Sequence, residues 1–110
     1  MKFTFSPLRS ETRLVASVRG DVLVLNGAEL DFGPLPKGAV LPREAVPCDW
    51  ISGDVMRAED GTLTVPLVLP HGAEAPVETL FPQPLQTESG PVPLPPYATF
   101  DAKDAQHAED

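Results

Sequence analysis

Cysteine is almost missing. Cys48 is the only one in 110 residues, so no intramolecular disulfide can form. That fits a reducing compartment or a fold that needs no covalent staple. Long apolar runs are missing too. Nothing approaches the roughly 18 consecutive apolar residues of a spanning helix, and residues 1–13, MKFTFSPLRSETR, hold no apolar signal-peptide core. The sequence therefore reads as that of a soluble protein not exported by that route. Aromatic residues make up 6%, with one Trp and one Tyr, which is little material for a sugar-binding cleft.

Cations are scarce and lopsided. Residues 1–60 carry seven Lys or Arg against nine Asp or Glu, and no Lys or Arg lies between Arg57 and Lys103. Phosphate neutralisation needs clustered cations, so the net charge of −8 argues against nucleic-acid binding. It argues against an anionic membrane surface for the same reason.

What is present is alternation and turn chemistry. KFTFS at residues 2–6 puts Phe3 and Phe5 on one face and reads as a strand ending at Pro7. RLVASVR at 13–19 puts Leu14, Ala16 and Val18 on one face. Gly20-Asp21 suits a type II′ turn and Asn26-Gly27 a turn with two positive φ values. With Val22–Leu25 and Ala28–Phe32 between and after them, residues 13–32 predict a three-stranded meander, Leu30 and Phe32 inward, Glu29 and Asp31 outward.

GPLPKGAVLPREAVP at 33–47 holds four prolines, which remove donors and restrict their neighbours. It reads as an extended connector pinned on the core by Leu35, Val40, Leu41 and Val46. Residues 50–57 read as a strand bulged at Gly53. Residues 62–69 alternate strictly, with Pro66 on the outward face, which predicts an edge strand. A short strand is expected at Val77–Phe81. Residues 70–96 hold more than half of the fourteen prolines and read as largely extended.

The fold class these patterns predict is mainly β: a small antiparallel meander or compact sandwich of about five to seven strands. The expected organisation is a β domain at 1–81, a proline-rich extended arm at 82–100 and an acidic tail at 101–110.

Candidate chemistry is thin. LVLPHGAEAPVETLFP at 67–82 holds His71, Glu74 and Glu78, yet a metal site needs three or four converging ligands. With Pro76 between the glutamates, a stiffened turn is the better reading. His107 falls in the tail. Cys48 precedes Asp49, whose charge opposes thiolate formation, so it reads as a small buried apolar residue. Asp31, Asp49, Asp54, Glu59 and Asp60 read as solvated strand faces rather than a carboxylate dyad. No serine sits in a nucleophile elbow and no glycine pattern cradles a phosphate. No enzyme, metal or cofactor is expected.

The proline-rich segment is the better candidate for binding. Phe81, Leu85, Val92, Leu94, Pro95, Pro96 and Tyr97 recur on a stiff chain with one charge, Glu88. Such a chain loses little entropy on docking, either on its own sheet or on a partner. PLPPY at 93–97 also has the form of a ligand for aromatic-groove modules, which keeps a host-interaction role open beside a small metal-dependent one at His71.

Several strings in order resemble small proteins of tailed bacteriophages and prophages, encoded among tail and tail-fibre genes. They are DFGPLPKGAVLPREA at 31–45, Asp49-Trp50 with Gly53 and Val55, LPHGA at 69–73, and Phe81-Pro82. The resemblance covers about residues 1–97; the acidic extension after Tyr97 departs from it. It implies a structural or assembly protein of a phage tail module, binding other tail or tail-fibre proteins or a second copy of itself. The implied location is the host bacterial cytoplasm during assembly, then the virion tail. It implies no catalytic residue.

Overall fold

The computed structural model describes residues 1–97, and the expected tail at 101–110, with His107, lies outside them. The fold is mainly β. The strands are β1 (Lys2–Arg9), β2 (Ala16–Arg19), β3 (Val22–Leu25), β4 (Ala28–Asp31), β5 (Val40–Leu41), β6 (Val55–Arg57), β7 (Leu63–His71), β8 (Leu85–Gln86) and β9 (Gly90–Pro91), with a one-turn helix α1 (Val77–Leu80) before β8. They form a five-stranded sheet, β5-β6-β7-β1-β8, and a four-stranded sheet, β4-β3-β2-β9.

The meander forms as its turn residues dictate. Arg19 pairs with Val22 and Leu25 with Ala28, leaving two-residue turns. Gly20 takes φ +63°, while Asn26 and Gly27 take +48° and +86°. These are the signs of a type II′ and a type I′ turn, which match strand twist. The Asn26 side chain adds a fastening: its Oδ1 accepts the Val15 N–H at 2.7 Å and its Nδ2 donates to the Arg13 carbonyl at 3.1 Å. Ala16, Val18, Leu23, Leu25, Leu30 and Phe32 are buried, as alternation requires.

Those side chains share one core with Phe3, Ile51, Val55, Leu63, Val65 and Leu67 of the larger sheet. The core is what one expects when two half-apolar sheets cover each other.

Three expectations need correction. β1 does not stop at Pro7 but runs to Arg9, paired in parallel with β7 from Lys2↔Thr64 to Arg9↔His71. This parallel pair is the exception among otherwise antiparallel contacts. β7 is not an edge strand, since it lies between β6 and β1. Pro66 fits inside the sheet because its neighbour is broken there. The Pro66 carbonyl accepts from Ser52 N–H at 3.0 Å, and an extended residue aims its N and O the same way. The missing N–H therefore faces residues 52–54, which belong to no strand. Gly53 lies against the proline ring: a Cβ there would stand 3.2 Å from Cγ of Pro66.

The third correction concerns residues 77–81. They form α1 rather than a strand, with Phe81 N–H bonded to the Val77 carbonyl at 2.8 Å. Pro76 precedes the first helical residue, and the backbone before it is extended, as a helix start tolerates.

In the 33–47 connector, Val46 is buried and Leu35 and Leu41 pack on the core, but Val40 is 52% exposed. Its side chain points outward on the two-residue strand β5, opposite to that of Leu41.

The proline-rich segment is woven into the fold. β8 lengthens the larger sheet beside Lys2 and Phe3, and β9 adds to the smaller one beside Ser17 and Val18. Prolines restrict such strands to edges, and both are edges.

Candidate functional site

His71 ends β7. Its carbonyl accepts from Ser10 N–H at 3.1 Å, and its Nδ1 lies 2.8 Å from the Gly72 carbonyl oxygen. Glu74 and Glu78 are exposed. Among the described residues no three His, Cys, Asp or Glu side chains converge as metal ligands. Cys48 packs half-buried against the core. Asp54 accepts the Arg43 N–H at 2.9 Å, a loop-fixing contact.

The end of PLPPY is held by its own chain. The buried Thr79 hydroxyl donates to the Pro96 carbonyl. The Tyr97 carbonyl accepts from Gly72 N–H at 2.8 Å, and its hydroxyl donates to the Ser10 carbonyl. The Arg13 guanidinium stands over the Tyr97 ring, 4.4 Å from its centroid. The region of His71 is thus a junction that fastens the 10–13 loop, the end of β7 and the last described residues together.

The binding candidates divide. Val92 is 7% exposed and belongs to the core, so it is not a partner-facing residue. Its N–H donates to the Ala16 carbonyl at 2.9 Å. Tyr97 is occupied at the junction. Leu85, Leu94, Pro95 and Pro96 instead come together with Phe81 and Phe5 in the lining of one apolar groove. Phe81 and Val77 are each 73% exposed, and Leu80 of the same turn is also exposed. Glu78 is the groove's one charged lining residue.

Sequence reasoning misses Phe5, Val77 and Leu80. A signal existed for the last two: Val77, Leu80 and Phe81 stand at i, i+3 and i+4, one face of a helical turn. Phe5 was visible as an inward residue of β1, but nothing local placed it beside residues 81–96.

Chemically the groove offers apolar and proline surface and one carboxylate. Such a surface accepts an apolar side chain. A second depression, lined by Asp21, Asp60, Thr62 and Glu88, is acidic. There the Asp60 carboxyl lies below its ordinary value, held down first by the Thr62 backbone N–H and then by the Thr62 hydroxyl.

No family model matches this chain, and no curated protein or solved structure matches it.

Proposed function

We propose that this chain is a non-catalytic binding part of a phage or prophage tail module, acting in structure or assembly by docking onto another tail or tail-fibre protein. The reading is supported above all by α1, a single turn that leaves Val77 and Phe81 in water beside an apolar groove. Exposing two large apolar side chains at one place is unfavourable for a free domain of this size and is typical of a contact surface. The resemblance of the strings at 31–45, 49–55, 69–73 and 81–82 to tail-module proteins supports the context. The stiff segment at 82–97 supports a contact role too, because it sets the groove wall with little entropy left to lose.

The test is a photo-crosslinking residue in place of Phe81, introduced into the gene in a host producing particles. The expected product is a covalent adduct with a tail or tail-fibre protein. Normal infectious tails after deletion of the gene, together with no tail-protein adduct, overturn the proposal.

A further inference from the structure

The outer edge of β1 is open along its second half. Its register with β7 is unbroken from Lys2 to Arg9, so backbone groups alternate strictly between the two sides. Met1 faces β8, exchanging bonds with Thr87 at 3.0 Å in both directions. Ser10 N–H faces β7, bonding the His71 carbonyl at 3.1 Å. Odd-numbered residues of β1 therefore aim their backbone groups outward. β8 pairs with Lys2 and Phe3 alone, and the residues before it, Pro82-Gln-Pro84, belong to no strand. Among the described residues no strand lies beside Phe5, Pro7 and Arg9. Phe5 and Arg9 each present an N–H and a carbonyl, and Pro7 presents a carbonyl. Residues 6–9 are all exposed.

The apolar groove begins where this edge begins, because Phe5 belongs to both. A strand laid along Phe5–Arg9 would send alternate side chains toward the core face, where Phe5, Phe81 and Leu94 stand.

We propose that an extended, basic segment of another protein adds to the larger sheet along Phe5–Arg9 and seats an apolar side chain in the groove. This rests on the reading of the chain as a binding part and names the chemistry of its partner. Main-chain bonds to an edge give affinity, and pockets for alternate side chains give selectivity. The charge follows from the surface. Glu78 is the one charged residue in the groove, residues 58–102 hold no Lys or Arg, and the chain carries −8. Arg9 marks the far end of the edge, so the partner's cations belong at the groove end.

A second copy fits poorly. Two β1 edges paired antiparallel about Pro7 would set two donorless residues opposite each other, and both copies carry −8.

The probe is a short synthetic peptide alternating lysine with valine and phenylalanine, added to the full chain. Amide exchange is read by NMR, and affinity by anisotropy of a labelled peptide. We expect slowed exchange at Phe5 and Arg9, and no binding by the same peptide with glutamate for lysine. Phe81→Ser is expected to weaken binding about tenfold, and Glu78→Gln about threefold with a flatter salt dependence. Unchanged exchange at Phe5 and Arg9, or equal binding of the acidic peptide, overturns the inference. Protection of those amides without peptide, with a doubled mass, assigns the edge to a second copy and also overturns it. A tail-protein adduct at position 81 with Phe5 and Arg9 still exchanging freely rejects only this edge-pairing inference and leaves the broader reading standing.

Discussion

The guanidinium of Arg57 donates from Nη2 to the Phe32 carbonyl at 2.8 Å, joining β6 to the chain just beyond β4. The same group donates from Nε to the Leu35 carbonyl at 2.6 Å and from Nη1 to the Gly61 carbonyl at 3.0 Å. Asp21 stands 3.5 Å away and supplies the opposite charge. The side chain is only 11% exposed, and three part-buried carbonyls share its one planar donor.

Replacing Arg57 takes that donor from the Leu35 and Gly61 carbonyls, while the Phe32 carbonyl keeps the Leu35 N–H at 3.0 Å. Arg57→Ala is expected to cost about 2–4 kcal/mol. Arg57→Lys should recover only part of that loss, because an ammonium is a point donor without the fork. Urea unfolding measures both. A loss under about 0.5 kcal/mol in the alanine variant, the size of an ordinary surface change, rejects the clamp.

Val92 carries the second expectation. Its burial makes the 82–97 segment part of the fold, so Val92→Ala should cost about 1–3 kcal/mol. Truncation after Phe81 should cost more, because it also strips β8 and β9 from two sheet edges and takes away the carbonyl that Thr79 bonds. Circular dichroism with thermal melting reads both. A truncated chain that melts like the full one means that the segment is dispensable for folding.

Asp60 sets a pH dependence with a definite sign. Its folded pKa is depressed, first by the Thr62 N–H at 2.9 Å. Its contribution to stability is therefore fully present above the unfolded value and lost as pH falls through the lower folded value. At neutral pH the effect is complete, and it fades only in acid. An NMR titration should place Asp60 below the ordinary aspartate value. In Thr62→Ala the value should return only partway, since the backbone donor remains. A full return assigns the shift to the hydroxyl and contradicts that order of causes.

Much of the fold was legible wherever the information is local. Gly20-Asp21 and Asn26-Gly27 fix two hairpins through backbone conformations that few residue pairs accept, and strict alternation marks the inner face of β7. What was illegible depends on partners distant in sequence. Pro66 reads as an edge residue until the break at 52–54 is known to lie beside it. Pro7 reads as a strand end if a strand needs its N–H, whereas that position faces outward. The parallel β1–β7 pair joins residues about sixty apart in sequence, and no short-range pattern encodes it. At the groove, Phe81 and its proline-rich wall were readable from composition. Phe5 was not, since it arrives through that long-range pair.

Pro7 carries the last expectation. It sits at the middle of the open β1 edge, with its missing donor on the outward side. Proline at such a place blunts an edge without harming the inner ladder. Pro7→Thr supplies the N–H and a β-branched side chain suited to a strand. The inner pairing with Leu69 is untouched, so stability in dilute solution should change by less than about 1 kcal/mol. Association should change much more. The edge then offers an uninterrupted row from Phe5 to Arg9, and two copies can pair through it without facing prolines. Light scattering over a concentration series should show the variant forming dimers or larger species where the unaltered chain does not. The lysine-rich probe peptide should bind the variant more tightly, by about tenfold for one regained main-chain bond in a partly desolvated site. A variant that keeps both the mass and the peptide affinity of the original means that the edge at Pro7 is not where contacts form, and the strand-addition proposal falls with it.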